Sequence, residues 1–346
     1  MKKTIISLAI AAGMAVSGAA SAEVYGILHA SIDSKDTGSD VDSPELGSNT
    51  AAIGVKGSED LGDGVKAFYK AEFQVDITEA GALTGRDQYI GLNGGMGTVK
   101  FGTVTGNYKE KGGSIDPMYR TALEARGAMN MQSELHKGAG RFGGRMKDAV
   151  QYSSPAMGGM QLVINTTFDA ANTTGANPTD IDETIGVGFR YDAKDFSVFV
   201  DMIDIAWENQ EATAVKLNAD GTTTAAVLGD DKVMSESATK IGGSFTAGPV
   251  KLGIQLEQTE DLIGNDYTFV SADYTIDGNN SVYLAVGQMG DSKGAVVADG
   301  STSIAIMYDH KMSKATDLYV GYGSRDDDAA ASKDYSVVTA GMRVRF

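Results

Sequence analysis

The sequence predicts an all-β fold, a 16-stranded antiparallel transmembrane β-barrel with short turns at one end and long loops at the other. Three observations carry this prediction. Many segments alternate apolar with polar or small residues, as in Val250-Lys251-Leu252-Gly253-Ile254-Gln255-Leu256-Glu257, which gives a strand one oily and one wet face. The connections between these segments alternate short and long along the chain. Beyond residue 22, no run approaches the ~18 to 20 consecutive apolar residues that a membrane-crossing helix requires.

Taken in order, the chain opens with Lys2 and Lys3, an apolar stretch Thr4 to Val16 and the small residues Ala20-Ser21-Ala22, the three parts of a secretory signal peptide. Residues 1–22 are therefore expected to be removed, leaving 23–346 as one barrel. Strands are predicted near 23–33, 49–59, 64–76, 86–94, 97–105, 145–153, 159–169, 182–191, 195–206, 238–247, 250–260, 267–276, 280–289, 302–310, 315–324 and 334–346. Tight turns rich in Gly, Asn and Asp lie at 59–63, 93–96, 247–249, 277–279 and 311–314. Long polar stretches lie at 34–48, 106–144, 170–181, 207–237, 290–301 and 325–333. A secreted sandwich or β-helix also alternates, but it would not sort its connections in this way. In the last strand, Val338, Ala340, Met342, Val344 and Phe346 take one parity, while Arg343 and Arg345 take the other.

Composition excludes several functions. The 346 residues carry 46 Asp+Glu against 29 Lys+Arg, a formal net charge of −17 that becomes −19 without the two lysines of the leader. Such a chain is not built to neutralise phosphates, so no nucleic-acid partner is expected. With no cysteine and only His29, His136 and His310, thiolate and Cys-zinc chemistry are excluded and little remains for a metal or any other cofactor. No Gly-x-Ser-x-Gly elbow is present, and no enzyme is expected. The acidic runs Asp326-Asp327-Asp328 and Asp230-Asp231 could attract divalent cations, yet neither has EF-hand spacing and both read as solvated loops. Gly94-Gly95-Met96-Gly97 has no following Lys-Ser/Thr and reads as a turn.

Several segments resemble the general porins of the Gram-negative outer membrane. Ala52-Ile53-Gly54-Val55-Lys56-Gly57-Ser58-Glu59-Asp60-Leu61-Gly62-Asp63-Gly64-Val65-Lys66-Ala67 is similar to their second strand, turn and third strand. Arg86-Asp87-Gln88-Tyr89-Ile90-Gly91-Leu92 and Gly97-Thr98-Val99-Lys100-Phe101-Gly102 resemble the fourth and fifth strands. Asp148-Ala149-Val150-Gln151-Tyr152-Ser153-Ser154-Pro155 resembles the sixth, and Gly341 to Phe346 the last, whose terminal Phe resembles the outer-membrane insertion signal. The resemblance implies a homotrimer surrounded by outer-membrane lipid and lipopolysaccharide, passing small hydrophilic solutes and ions passively. It also implies that the third extracellular loop folds inward to narrow the bore. The 39-residue stretch 106–144 suits that loop, and Asp116 followed by Pro117 predicts a short helix over 117–126, with glycines 112, 113, 127, 138, 140, 143 and 144 as hinges.

In that family, wall arginines face loop carboxylates across the constriction. By parity Arg86, with Gln88, and Arg145, with Lys147, Ala149 and Gln151, face the lumen, because Tyr89, Val150 and Tyr152 take the outward side; both arginines also match the family's positions. Lys56 and Lys70 share the inward parity of their strands. Asp116, Glu124 and Glu134 are the loop carboxylates of the right type, although Arg120, Arg126 and Lys137 share that loop. Ala52 and Thr103 stand where the family commonly has arginine, and this loss of wall cations favours cation passage. The alternatives are a substrate-specific channel, an outer-membrane hydrolase, and an adhesive or structural barrel. Trp207 is the sole Trp, and Phe68 and Tyr283 are isolated inward aromatics, which supplies no aromatic track for a sugar channel.

Overall fold

A computed structural model describes residues 20–38, 44–79, 81–137, 144–168, 181–212, 216–217, 223–224, 228–293, 299–328 and 334–346. The body of the expected signal peptide, most of the loop 170–181 and the side chains of Trp207, Asp230 and Asp231 lie outside the described residues. The wall is made of β1 (Ala20–Asp36), β2 (Ala52–Gly62), β3 (Val65–Gln74), β4 (Thr84–Gly94), β5 (Gly97–Thr105), β6 (Arg145–Ser153), β7 (Met160–Thr167) and β8 (Ile181–Asp192). It continues through β9 (Phe196–Ala212), β10 (Leu228–Ala247), β11 (Val250–Gln258), β12 (Tyr267–Thr275), β13 (Asn280–Met289), β14 (Ser301–Lys311), β15 (Thr316–Asp327) and β16 (Tyr335–Arg345). Each strand pairs antiparallel with the next, and β1 closes the ring by pairing with both β2 and β16. A short strand, Glu45–Ser48, adds to β1 from the first long loop.

All sixteen expected strands are present, and the connections alternate as expected. Closure leaves none of the sixteen wall strands with a free sheet edge among the described residues, an edge that a hydrocarbon environment would leave unsatisfied. At the seam Gly26 exchanges backbone hydrogen bonds of 2.9 and 3.1 Å with Phe346. The glycine allows the terminal ring to lie flat over β1, since a Cβ there would approach Phe346 Cζ to 2.4 Å. Along β14 the outward Ile304 and Ile306 are 48% exposed, whereas Ala305 and Met307 beneath them are buried. This apolar exterior belt is the lipid-facing pattern of a barrel. β9 and β10 extend past the expected ends at 206 and 238, with pairing out to Ala212↔Leu228, because backbone pairing does not require an oily face outside the hydrocarbon layer.

Two local features depart from strict alternation. Ala71 pairs with Gln88 and Phe73 with Gly85, so Arg86 and Asp87 together oppose Glu72 in a β-bulge. Tyr89 pairs with Lys70 and packs edge-to-face on Phe68 at 6.1 Å, so it faces inward; the expectation that Tyr89 points outward and Gln88 inward is corrected. Arg86 still faces inward because the bulge shifts the parity below it. A second bulge involves Lys147 and Asp148, where Asp148 takes φ 47°, and Met146 is buried beside Val104 and Ala149 in the inward place expected for Lys147.

The 106–144 connection folds into the barrel. Its helix is α1 (Asn107–Ile115), packed on β7 to β11, and the helix expected over 117–126 is absent. Instead that stretch is a series of i→i+3 turns from Asp116 to Gly127, interrupted where Arg120 takes φ 69°. A non-glycine residue in the left-handed region stops helix propagation. Gly112 lies inside α1 and permits close contact with His136, whose ring would lie 2.2 Å from an added Cβ, so it does not act as a hinge.

Candidate constriction and selectivity site

Inward parity on β3 supplies Lys70 and Glu72, and the bulge on β4 adds Arg86 and Asp87 to the same patch. Arg86 Nε donates to Glu72 Oε1 at 2.6 Å, Lys70 Nζ lies 3.2 Å from Glu72 and 3.1 Å from Asp87, and Arg145 Nε donates to Asp87 Oδ1 at 2.8 Å. Tyr25 donates to Glu72 and Thr105 to Asp87. Three of the four expected wall cations thus form one network around two carboxylates. Lys56 stands apart and exposed, 3.3 Å from Glu23 and over the Tyr25 ring. Glu72 and Asp87 had not been singled out as site residues, although Glu72 shares Lys70's parity; Asp87 required the bulge.

The three loop carboxylates take different positions. Asp116 is buried, and its oxygens accept the backbone N–H groups of Met118 and Ala125, both at 2.9 Å. Burial pushes its carboxyl up to about 7. It fastens the loop to itself and does not line the bore. Glu124 Oε2 lies 3.0 Å from Arg126 Nε and accepts the Arg120 N–H, and Glu134 is exposed beside Lys137. Arg120 and Arg126 both lie over the Tyr119 ring, so this loop presents guanidinium groups as well as carboxylate. Lys109, buried among Arg126 and Arg145, is pulled down to about 6, first by burial and then by those like charges.

The loop is fixed to the wall by two kinds of contact. Around α1 the contacts are polar and buried. Glu257 on β11 receives Ser133 Oγ–H, Ser133 N–H at 3.2 Å and Tyr108 O–H at 3.2 Å, and lies 3.2 Å from His136 Nε2. Lys240 and Asp201 form a fully buried pair at 3.4 Å; Lys240 donates to the Tyr108 carbonyl and Asn107 donates to Asp201. Farther on, Met118, Leu123, Met129 and Met131 form an apolar core with Phe269, Met307, Tyr319 and Val337 of the inner wall. Gly321 makes that contact possible, since a Cβ there would sit 2.5 Å from Leu123 Cδ1. His136 and the methionines had carried no sequence signal beyond residue type.

At the long-loop end, the connections that follow β1, β3 and β5 enclose a recess of about 560 Å³ whose lining includes Asp33, Glu45, Asp76, Glu79 and Glu124, with Lys35 as the single lysine among the described residues.

Comparison with known proteins agrees with this architecture. A profile of Gram-negative porins matches residues 7–330. An outer membrane porin protein of Bordetella pertussis is 26% identical, the match covering 100% of this chain and 99% of that protein. Among solved structures, the anion-selective porin from Comamonas acidovorans superposes with a TM-score of 0.74 at 20% identity, covering 94% of this chain and 100% of that one. The trimer form of OmpT, an outer membrane protein of Vibrio cholerae, gives 0.68 at 16%, covering 95% and 100%.

Proposed function

The chain belongs to the Gram-negative porin family and the Gram-negative outer membrane, and from that premise we propose that it is a passive diffusion pore with mild cation preference. Its relatives are channels rather than enzymes. Small hydrophilic solutes and ions pass between the inward loop and the Arg86–Glu72–Lys70–Asp87–Arg145 network, after removal of residues 1–22 and assembly as a homotrimer in lipid and lipopolysaccharide. The observation that carries cation preference is the acidic recess, five carboxylates against one lysine among the described residues. The wall supports it too, because Glu72 and Asp87 lie against Arg86, Lys70 and Arg145 and limit their field. Anion preference has one observation in its favour, the pairing of Arg120 and Arg126 on Tyr119 in the loop.

Conductance of the purified protein in a planar bilayer tests the reading. Ohmic pores that close in three steps at high voltage, with a reversal potential on the cation side in a salt gradient, are expected. An absence of conductance would sink the pore, a reversed sign would sink the cation preference, and single-step closure would sink the trimer.

A further inference from the structure

The returning limb of the inward loop borders a half-open cavity of about 170 Å³ between the turn Glu134–His136 and the wall. Its apolar lining comes from three other elements: Ile263 ends the short helix Glu260–Ile263, Tyr267 opens β12 and Met289 ends β13. Those two strand ends lie at the long-loop end, so the cavity sits on the mouth side of the loop. Its polar lining keeps unmatched groups of both signs. Arg126 directs Nε to Glu124 Oε2 at 3.0 Å and Nη1 to the His136 carbonyl at 2.5 Å, which leaves Nη2 without a partner among the described residues. Lys137 N–H closes the turn on the Glu134 carbonyl at 2.8 Å, and side chains three apart in a 3₁₀ turn lie over one another, so both charges stand on the same rim. Both are exposed, and neither is in an ion pair among the described residues. By contrast, Glu110, Lys111 and Glu124 of the same loop each meet an oppositely charged side chain.

We propose that this cavity binds a free α-amino acid with an apolar side chain. The carboxylate meets Arg126 Nη2 and Lys137, the ammonium meets Glu134, and the side chain lies against Ile263, Tyr267 and Met289. A plain anion would face the Glu134 carboxylate, and a plain cation would face two positive groups. A zwitterion satisfies both signs in one molecule, and like-charge contact disfavours the other two classes. The volume lies below the ~300 Å³ at which pockets for larger ligands begin, which suits one residue and excludes a peptide or an oligosaccharide. The inference rests on the pore reading for the solute's onward path, but binding does not depend on conduction.

The test is isothermal titration calorimetry of the full-length protein in detergent. The probes are leucine, 4-methylpentanoate, which lacks only the ammonium, and leucine methyl ester, which lacks the free carboxylate. Leucine should bind about fivefold more tightly than either analogue, the effect of one exposed charge pair at the upper end of its range. Glu134→Gln should weaken leucine by about the same factor and leave 4-methylpentanoate unchanged, whereas Lys137→Gln should weaken both. Equal binding of the three probes, no heat with leucine, or a leucine affinity unaltered by both variants overturns the site. Conductance of the same preparation in a planar bilayer separates the two readings: a conducting protein that ignores leucine loses the site and keeps the pore, and a non-conducting protein that binds leucine loses the pore and keeps the site.

Discussion

The inner wall has two halves that obey the same strand periodicity and have different chemistry. From β1 to β6 the inward side chains are a charged ladder, with Lys56, Lys70, Glu72, Arg86 and Asp87 on or near the bore. From β12 to β16 the inward positions above the short-turn end are Phe269, Ala285, Gly287, Ala305, Met307, Gly321, Gly323 and Val337, and the inward loop covers them. Alternation therefore fixes which residues point inward without fixing whether the interior is wet. One half is lined by paired charges, while the other is a small dry core built from loop methionines and wall glycines.

The most damaging change to this contrast is Leu123→Asp. It places a charge in the dry half, where burying an uncompensated carboxylate costs several kcal/mol. Expulsion of the loop is expected, with higher single-channel conductance and a larger solute cutoff in liposome swelling; unaltered conductance would mean that the dry core does not hold the loop. Next comes Glu257→Ala, which leaves Ser133, Tyr108 and His136 buried around an empty place. A loss of about 3 to 5 kcal/mol is expected from removing one partner of such a cluster, read as faster proteolysis within 106–144 and a noisier open channel.

On the charged half, Arg86→Gln frees Glu72 from its shortest partner. The reversal potential in a salt gradient should move by a few millivolts toward cations, and Arg145→Gln should act similarly through Asp87. If neither variant moves it, the wall network is structural and does not select ions.

The smallest effect is the titration of Asp116. Its folded-state carboxyl, about 7, lies above the ordinary unfolded value, so protonation stabilises the folded loop. That contribution is complete below about pH 4 and is lost as pH rises through about 7. Loop protection from protease should therefore decline modestly between pH 5 and 8 in the wild type. Asp116→Asn, which cannot ionise, should flatten the decline, and an equal slope in both proteins would remove Asp116 as its source.

Most of the barrel was legible in the sequence because lipid and water on opposite faces impose period 2 on every strand, and closure imposes alternating connections. Strands such as 97–105, 145–153 and 280–289 fell at the expected limits for that reason. Arg86, Lys70 and Arg145 were legible as inward or family-matched cations. Their carboxylate partners were not equally so, because the bulge at Arg86–Asp87 breaks the two-residue period and no residue type announces it. The loop was the hardest part. Asp116-Pro117 has the local chemistry of a helix start, but in the fold the Asp116 side chain accepts the distant Ala125 N–H and Arg120 turns left-handed.

By itself, then, the sequence determined the class of fold, the number of strands, the end that carries long loops, the membrane that suits it and the excess of negative charge. These follow from patterns repeated many times along the chain, each reinforcing the others. Only the tertiary structure decided which charges meet across the bore and which half of the interior is dry. Those properties depend on single contacts between strands and a loop far apart in the chain, such as Leu123 against Gly321 or Ser133 against Glu257, and no local periodicity encodes a contact of that kind.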